Sequence, residues 1–142
     1  YMLGYLNNSK SVFVTNAVTH AKKLALQGNK VILIEGELKG STEALVGGYA
    51  AASLKKFHFS KGFFGTNGLT KKAGFTTPDT SEALVKNKAM EQCKECYVLA
   101  DQSKFDKISP VTFQQFDRAI IITERKPEGY MECENIIVVR EN

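Results

Sequence analysis

The sequence predicts an α/β fold in which a doubly wound, mostly parallel sheet carries helices on both faces, the Rossmann-like three-layer sandwich. Two observations predict it. Six short apolar runs rich in β-branched residues recur along the chain, and they are nearly continuous rather than alternating, as in the strands of a parallel sheet covered on both faces. Segments with helical periodicity separate several of these runs, and such alternation is typical of doubly wound folds.

The predicted strands and helices follow one another in a simple order. The six strands are predicted over residues 11–15, 30–35, 61–65, 96–101, 118–124 and 135–139. Segment 16–28 has apolar residues on one stripe at helical spacing and ends at Gly28, a residue that often terminates helices. Segment 41–57 is also predicted to be helical, although the glycine pair at 47–48 can delay its start to about Tyr49.

Composition indicates an ordinary globular protein of 142 residues, predicted to form one domain over 1–142. Hydrophobic residues make up 43% and charged residues 24%, which argues against disorder. No apolar run approaches the roughly 18 residues of a membrane span, and the start lacks the layout of a signal peptide, so we expect a cytoplasmic protein without a membrane partner. The net charge of +4 comes from scattered lysines and arginines, which predicts no DNA contact by these residues.

Three cysteines in such a chain are expected to be reduced thiols. The spacing Cys93-x-x-Cys96 is half of a zinc pattern, and Cys133 is too isolated to complete it. We therefore expect core cysteines, no metal site and no cofactor.

Candidate binding residues lie where the predicted strands end, because ligands of such sheets bind outside the carboxyl ends of the strands. Most of these residues are small, hydroxyl, amide or glycine residues, suited to sugar hydroxyls and phosphate oxygens: Thr15, Asn16, Gly36, Gly65, Thr66, Asn67, Gly68, Asp101 and Ser103. The run 65–68 is equally typical of a tight turn. Lys104 can meet a phosphate or can be a solvated loop lysine.

Segment 79–93 is predicted to be a helix that begins with a variant of the capping box, Asp79 followed by Glu82. On a helical wheel, Glu82 and Lys86 fall in the middle of the apolar face, where a surface ion pair is not expected. They are predicted to face the cleft at the strand ends. A buried structural ion pair is the alternative.

No recognisable catalytic set occurs in the sequence. The motifs G-x-S-x-G and H-E-x-x-H and a Walker loop are absent, so we do not expect an enzyme. Acid–base chemistry would have to come from the carboxylates Glu82 and Asp101 and from the lysines Lys86 and Lys104.

Four motifs give the chain a specific resemblance. The sequence resembles the C-terminal sensor domain of DeoR-family repressors, which shows G-x-x-G-[IL], G-x-T-T-P-D, E-A-x-V-K and L-A-D-x-S-K-F in this order. The matching segments here are 65–69, 74–79, 82–86 and 99–105. The segments VTNA at 14–17 and VILIEGELKGSTEALVG at 31–47 are also similar to the family, so the likeness covers nearly the whole chain.

The resemblance implies a fold like that of ribose-phosphate isomerases and coenzyme A transferases, and a phosphorylated sugar or related metabolite as effector. It implies a homo-oligomer that contacts DNA only through an N-terminal winged helix-turn-helix, which this chain lacks. The family's first phosphate loop, D-x-G-T-T, is expected before Tyr1 and is missing as well. A phosphosugar isomerase or transferase of related fold is the alternative function.

Two departures from the family bear on the site. Many members have Gly-Gly after the second strand, where this chain has Glu35 and Gly36, and the larger side chain is expected to narrow that side of the pocket. An aspartate common before the third strand is Ser60 here, which speaks against isomerase chemistry.

Overall fold

The computed structural model of the protein describes residues 2–6 and 10–140. Residues 1, 7–9, 141 and 142 of the predicted domain lie outside this range. The chain divides into two compact units, Tyr1–Lys55 and Lys56–Asn142. The single domain over 1–142 remains a prediction.

The first unit is built around a strand–helix–strand motif. Strands β1 (Val12–Thr15) and β2 (Lys30–Leu33) pair in parallel, and helix α1 (Val18–Leu26) connects them. The helix ends as predicted beside Gly28, which has a φ of +88°. Leu24 is the buried residue of α1, so only this member of the predicted apolar stripe packs tightly.

The rest of the first unit is a short hairpin followed by a short helix. Strands β3 (Glu37–Lys39) and β4 (Ala44–Val46) are antiparallel, and α2 spans Gly48–Ser53. The helix predicted within 41–57 therefore starts at Gly48, close to the delayed start at about Tyr49 that the glycine pair indicated, and the residues before it are not helical. Gly47 adopts a φ of +94°, a conformation incompatible with a helix, and the helix starts only after it.

The second unit contains a four-stranded parallel sheet. Its strands are β5 (Phe59–Gly65), β8 (Cys93–Leu99), β10 (Ile120–Thr123) and β11 (Ile136–Val138). They lie in the order β11-β10-β8-β5, so that each strand pairs with the next parallel strand along the chain. Between β5 and β8 the chain first forms two strands of a small second sheet and then helix α3 (Thr80–Glu91).

This second sheet is antiparallel and has the order β6-β7-β9. Its strands are β6 (Gly68–Thr70), β7 (Gly74–Thr77) and β9 (Val111–Gln114). Helix α3 packs against both sheets. Phe75 of β7 is fully buried and stacks on Phe113, with ring centroids 6.1 Å apart, so the small sheet contributes to the main core of the unit.

The connection between β10 and β11 is fastened to the rest of the unit by polar contacts. The Tyr130 hydroxyl donates to Asp106 Oδ1 at 2.8 Å. Lys71 Nζ donates to the carbonyl oxygen of Gly129 at 2.6 Å and to Glu132 Oε1 at 2.7 Å. The ring of Tyr130 is buried against Phe105, with centroids 5.0 Å apart.

All six predicted strands are present, and the α/β class with a parallel sheet is confirmed, consistent with a Rossmann-like three-layer fold. The antiparallel strands β3, β4, β6, β7 and β9 were not predicted. Four of them contain polar residues or glycine, and β4 falls in the segment that was predicted to be helical. Strands β5 and β8 begin earlier than predicted, since Phe59 pairs in register with Cys93.

Candidate functional site

The carboxyl ends of the four parallel strands in the second unit form one edge of the sheet. Gly65 of β5 pairs in register with Leu99 of β8, and Leu99 pairs with Ile122 of β10. The loops that follow these strands therefore leave the sheet side by side. Two of the predicted segments, 65–68 and 101–104, meet at this edge.

The loop after β5 is shaped by its own hydrogen bonds. The buried Thr66 hydroxyl lies 2.8 Å from the carbonyl oxygen of Gly68 and 3.0 Å from that of Thr76, and its one hydrogen can be donated to either. A Cβ on Gly68 would lie 2.4 Å from the carbonyl oxygen of Lys107, so only glycine fits there. Thr66 and Gly68 thus hold the loop in shape, while Gly65 and Asn67 are its exposed members.

Helix α3 begins at this edge. Asp79 is its N-cap, and its Oδ1 accepts a hydrogen bond from the Glu82 backbone N–H at 2.9 Å, as the capping motif predicts. The Glu82 carboxylate accepts from the buried Thr77 hydroxyl at 3.1 Å. The same hydroxyl lies 3.4 Å from Asn67 Oδ1, so Thr77 connects the helix to the loop after β5.

One turn further along α3, Lys86 reaches the end of β5. Its Nζ donates to the carbonyl oxygen of Gly65 at 2.8 Å and lies 4.9 Å from the centroid of the Phe113 ring. Burial lowers the pKa of the Lys86 ammonium, and the nearby Glu82 carboxylate partly opposes that shift. The structure therefore places a partly desolvated cation and a carboxylate at the sheet edge.

The loop after β8 is held by the Asp101 carboxylate, which accepts hydrogen bonds from the Ser103 backbone N–H at 2.8 Å and from the Ser103 hydroxyl. These bonds lower the pKa of Asp101, and the charge of Lys104 acts in the same direction. Asp101 and Ser103 are both exposed, so this loop presents an ionised carboxylate and a hydroxyl at the edge.

Three predicted residues belong to the first unit. The Thr15 hydroxyl accepts from the Ala17 backbone N–H at 3.1 Å, and the Asn16 side chain donates to the carbonyl oxygen of Leu45 at 3.1 Å. Gly36 has a φ of +152°, and a Cβ there would lie 2.9 Å from the Cβ of Ala50. Each has a structural role within its unit. Their place around one crevice with 65–68 and 101–104 remains a prediction.

Sequence reasoning missed a group that links the loops after β8 and β10. The Gln102 backbone N–H donates to Glu124 Oε1 at 2.9 Å, and Arg125 Nη2 donates to Gln102 Oε1 at 2.9 Å. The remaining donor, Gln102 Nε2, is buried without a hydrogen-bond partner, which costs about 1–3 kcal/mol when nothing satisfies it. Gln102 and Glu124 could have been selected from the sequence, because both lie at the ends of predicted strands.

Neither a metal-binding cluster nor a membrane-spanning helix occurs in the part of the chain that the structure describes. Within residues 2–6 and 10–140, no three His, Cys, Asp or Glu side chains gather as a metal site would require. The helices in these ranges include none that is long and apolar enough to cross a membrane.

A parallel sheet whose carboxyl-end loops carry polar side chains defines the class of α/β domains, which hold ligands, where they bind them, at that edge. The profile of the DeoR C-terminal sensor domain matches residues 1–125. The chain belongs to this family.

Curated relatives agree with this assignment. The chain is 43% identical to the uncharacterized HTH-type transcriptional regulator FruR of Bacillus subtilis, over 99% of this chain and 58% of that protein. It is 36% identical to the HTH-type transcriptional regulator IolR of the same organism, over 72% of this chain and 41% of the relative. It is 39% identical to a lactose phosphotransferase system repressor of Staphylococcus aureus, over 62% and 35% respectively. The chain thus spans between about a third and three fifths of the length of these relatives.

Proposed function

We propose that this chain is the effector-sensing domain of a DeoR-type transcriptional regulator of sugar metabolism, and that it binds a phosphorylated sugar or related metabolite without turning it over. The observation that carries this proposal is the connected polar edge of the second unit. There Lys86 donates to the carbonyl oxygen of Gly65 at the end of β5. Beside it, the Thr77 hydroxyl lies within hydrogen-bond distance of both Glu82 and Asn67.

The side chains at this edge suit the two kinds of group on a sugar phosphate. The Lys86 ammonium and loop backbone N–H groups can donate to phosphate oxygens, and charge-assisted bonds of this kind are the stronger ones. The carboxylates of Glu82 and Asp101 can accept from sugar hydroxyls. Ser103 and Lys104 of the loop after β8 are further proposed contacts of the effector. Thr15, Asn16 and Gly36, in the first unit, stay predicted effector-binding residues.

The regulatory part of the proposal depends on the longer protein. The relatives are HTH-type regulators, and the Staphylococcus aureus relative is a repressor of a lactose phosphotransferase system. We infer that DNA is contacted by a helix-turn-helix segment outside this chain and that the protein acts as a homo-oligomer in the cytoplasm. Effector binding then shifts an equilibrium between two states that differ in DNA affinity.

Ligand binding is tested by thermal shift of the protein against sugar monophosphates and the same sugars without phosphate. A bound monophosphate at a hundred times its dissociation constant stabilises by about 2.7 kcal/mol and raises the melting temperature by about 5–10 °C. Equal shifts by the dephosphorylated sugars would contradict the phosphate preference. Turnover of any of these compounds would favour the isomerase or transferase alternative.

A further inference from the structure

A shallow depression lies on the surface where β10 and β11 end, beside the edge already described. Its lining residues follow these two strands or lie in the connection between them: Glu124, Arg125, Lys126, Met131, Val138 and Arg140. Three of the six are cations and one is an anion, so the depression has a positive formal charge.

The hydrogen bonds of Arg125 and Lys126 go to neutral acceptors, although the hydrogen bond from Lys71 and, to a lesser extent, the charge of Lys126 lower the pKa of the Glu132 carboxyl. Arg125 donates to the neutral amide oxygen of Gln102 at 2.9 Å, and Lys126 Nζ donates to the carbonyl oxygen of Cys133 at 2.6 Å. Among the described residues, no carboxylate lies within ion-pair distance of Arg125, Lys126 or Arg140. Each cation keeps further N–H donors for an anion.

The single carboxylate of the depression is already engaged. Glu124 Oε1 accepts from the Gln102 backbone N–H at 2.9 Å, and Oε2 accepts from the Thr123 hydroxyl at 3.2 Å. Both oxygens thus serve the loops rather than the cations. The carboxylate reduces the positive charge of the depression but does not cancel it.

The depression adjoins the candidate site, and the strand order gives its approximate distance from Lys86. Arg125 contacts Gln102, which directly follows Asp101 in the loop after β8. Lys86 is bonded to the end of β5, and β10 lies two strands away from β5. Since neighbouring strands are about 4.8 Å apart, these two strand ends are on the order of 10 Å apart. A sugar with a phosphate at each end can span such a gap.

We propose that this basic depression binds a second phosphate-class anion, carried by the same effector whose first anionic group lies near Lys86. The effector class is then a doubly phosphorylated sugar. This inference rests on the proposed function for the first group. A free phosphate ion bound beside a sugar monophosphate is the other source of the same chemistry.

The test is calorimetry on the whole protein with three probes: fructose 6-phosphate, fructose 1,6-bisphosphate and inorganic phosphate. The bisphosphate is expected to bind at least tenfold more tightly than the monophosphate, because the extra group makes charge-assisted hydrogen bonds. Inorganic phosphate is expected to compete with the bisphosphate. If it instead strengthens monophosphate binding, the anion at the depression is a free ion, and the single-effector form of the proposal is overturned.

Variants show whether the depression is responsible. Arg140→Gln and Arg125→Gln should each remove most of the bisphosphate advantage, and Arg140→Gln should leave monophosphate affinity within about twofold. Arg140→Gln is the cleaner of the two, because Arg125 also contacts Gln102. Arg118→Gln is the matched control, since this exposed arginine precedes β10 and so lies at the opposite edge of the sheet. It should leave the advantage intact.

The outcomes separate this inference from the proposed function. If the monophosphate binds as tightly as the bisphosphate, or if the advantage survives both variants, the second anion site is wrong and the sensor function stands. If no sugar phosphate binds but inorganic phosphate binds and depends on Arg140, the anion site stands and the proposed sensor function fails. If none of the three probes binds, both are overturned.

Discussion

Replacing Lys86 by methionine tests the central contact of the candidate site. The substitution removes the ammonium that donates to the Gly65 carbonyl oxygen at 2.8 Å, and it keeps an unbranched apolar chain against Phe113. A charge-assisted hydrogen bond contributes about 1.5–3 kcal/mol. If Lys86 binds the effector phosphate, the dissociation constant should therefore rise roughly tenfold to a hundredfold.

Folding should change little in this variant. Gly65 is exposed, so water can replace the lost donor at its carbonyl oxygen. The lost cation–π contact contributes about 0.5–1 kcal/mol, and a methionine sulfur near the ring recovers a similar amount. The free energy of unfolding should therefore shift by less than about 1 kcal/mol.

Calorimetry with a sugar phosphate gives the affinity, and urea unfolding gives the stability. Lys88→Met is the matched control, because Lys88 on the same helix pairs with Glu91 at 3.0 Å, an i,i+3 pair away from the sheet edge. An unchanged affinity with a sharp loss of stability would make Lys86 a structural residue. If neither quantity changes, Lys86 has no part in binding or folding.

Three further predictions concern stability. Asp79→Ala should lower the free energy of unfolding by about 0.5–2 kcal/mol through loss of the N-cap, as measured by urea denaturation, and Asp79→Asn should retain most of it. Gly68→Ala should lower the free energy of unfolding by about 1–3 kcal/mol, because the new Cβ would overlap the backbone of Lys107. Gly65→Ala should lower it by less than about 1 kcal/mol, because no atom lies within 4 Å of its Cβ position. A loss as large for Gly65→Ala would refute the packing explanation. Burial lowers the pKa of Lys86 in the folded protein, so the unfolded state binds the lysine proton more tightly. The free energy of unfolding of the wild type, relative to that of Lys86→Met, should therefore rise with pH toward about 10.4, the ordinary pKa of lysine. A fall over this range would contradict that direction.

The parallel strands could be predicted from sequence, whereas the antiparallel strands could not. The former are continuous apolar runs such as 118–124. The latter bury polar residues, and Thr76 and Thr77 are fully buried. Thr76 is tolerated because its hydroxyl accepts from the Ser109 backbone N–H at 2.9 Å, a partner 33 residues away. A periodicity in hydrophobicity cannot reveal a strand whose burial depends on such long-range bonds.

The candidate site divides in the same way. The helical wheel could predict that Glu82 and Lys86 share one side of a helix, because one helix fixes their relative position, whereas their role in binding stays a prediction. The bond between Gln102 and Arg125 depends on β8 lying next to β10. That adjacency is a property of the strand order, which no local pattern in the sequence specifies.

The strand order of the parallel sheet also has a consequence for how the second unit is assembled during synthesis. Because β5, β8, β10 and β11 lie side by side in chain order, each strand that leaves the ribosome finds its pairing edge already in place, and the sheet can grow in one direction. The last of these four strands, Ile136–Val138, pairs with a single neighbour among the described residues. Its amides should therefore exchange with solvent deuterium before those of Cys93–Leu99, which is paired on both sides.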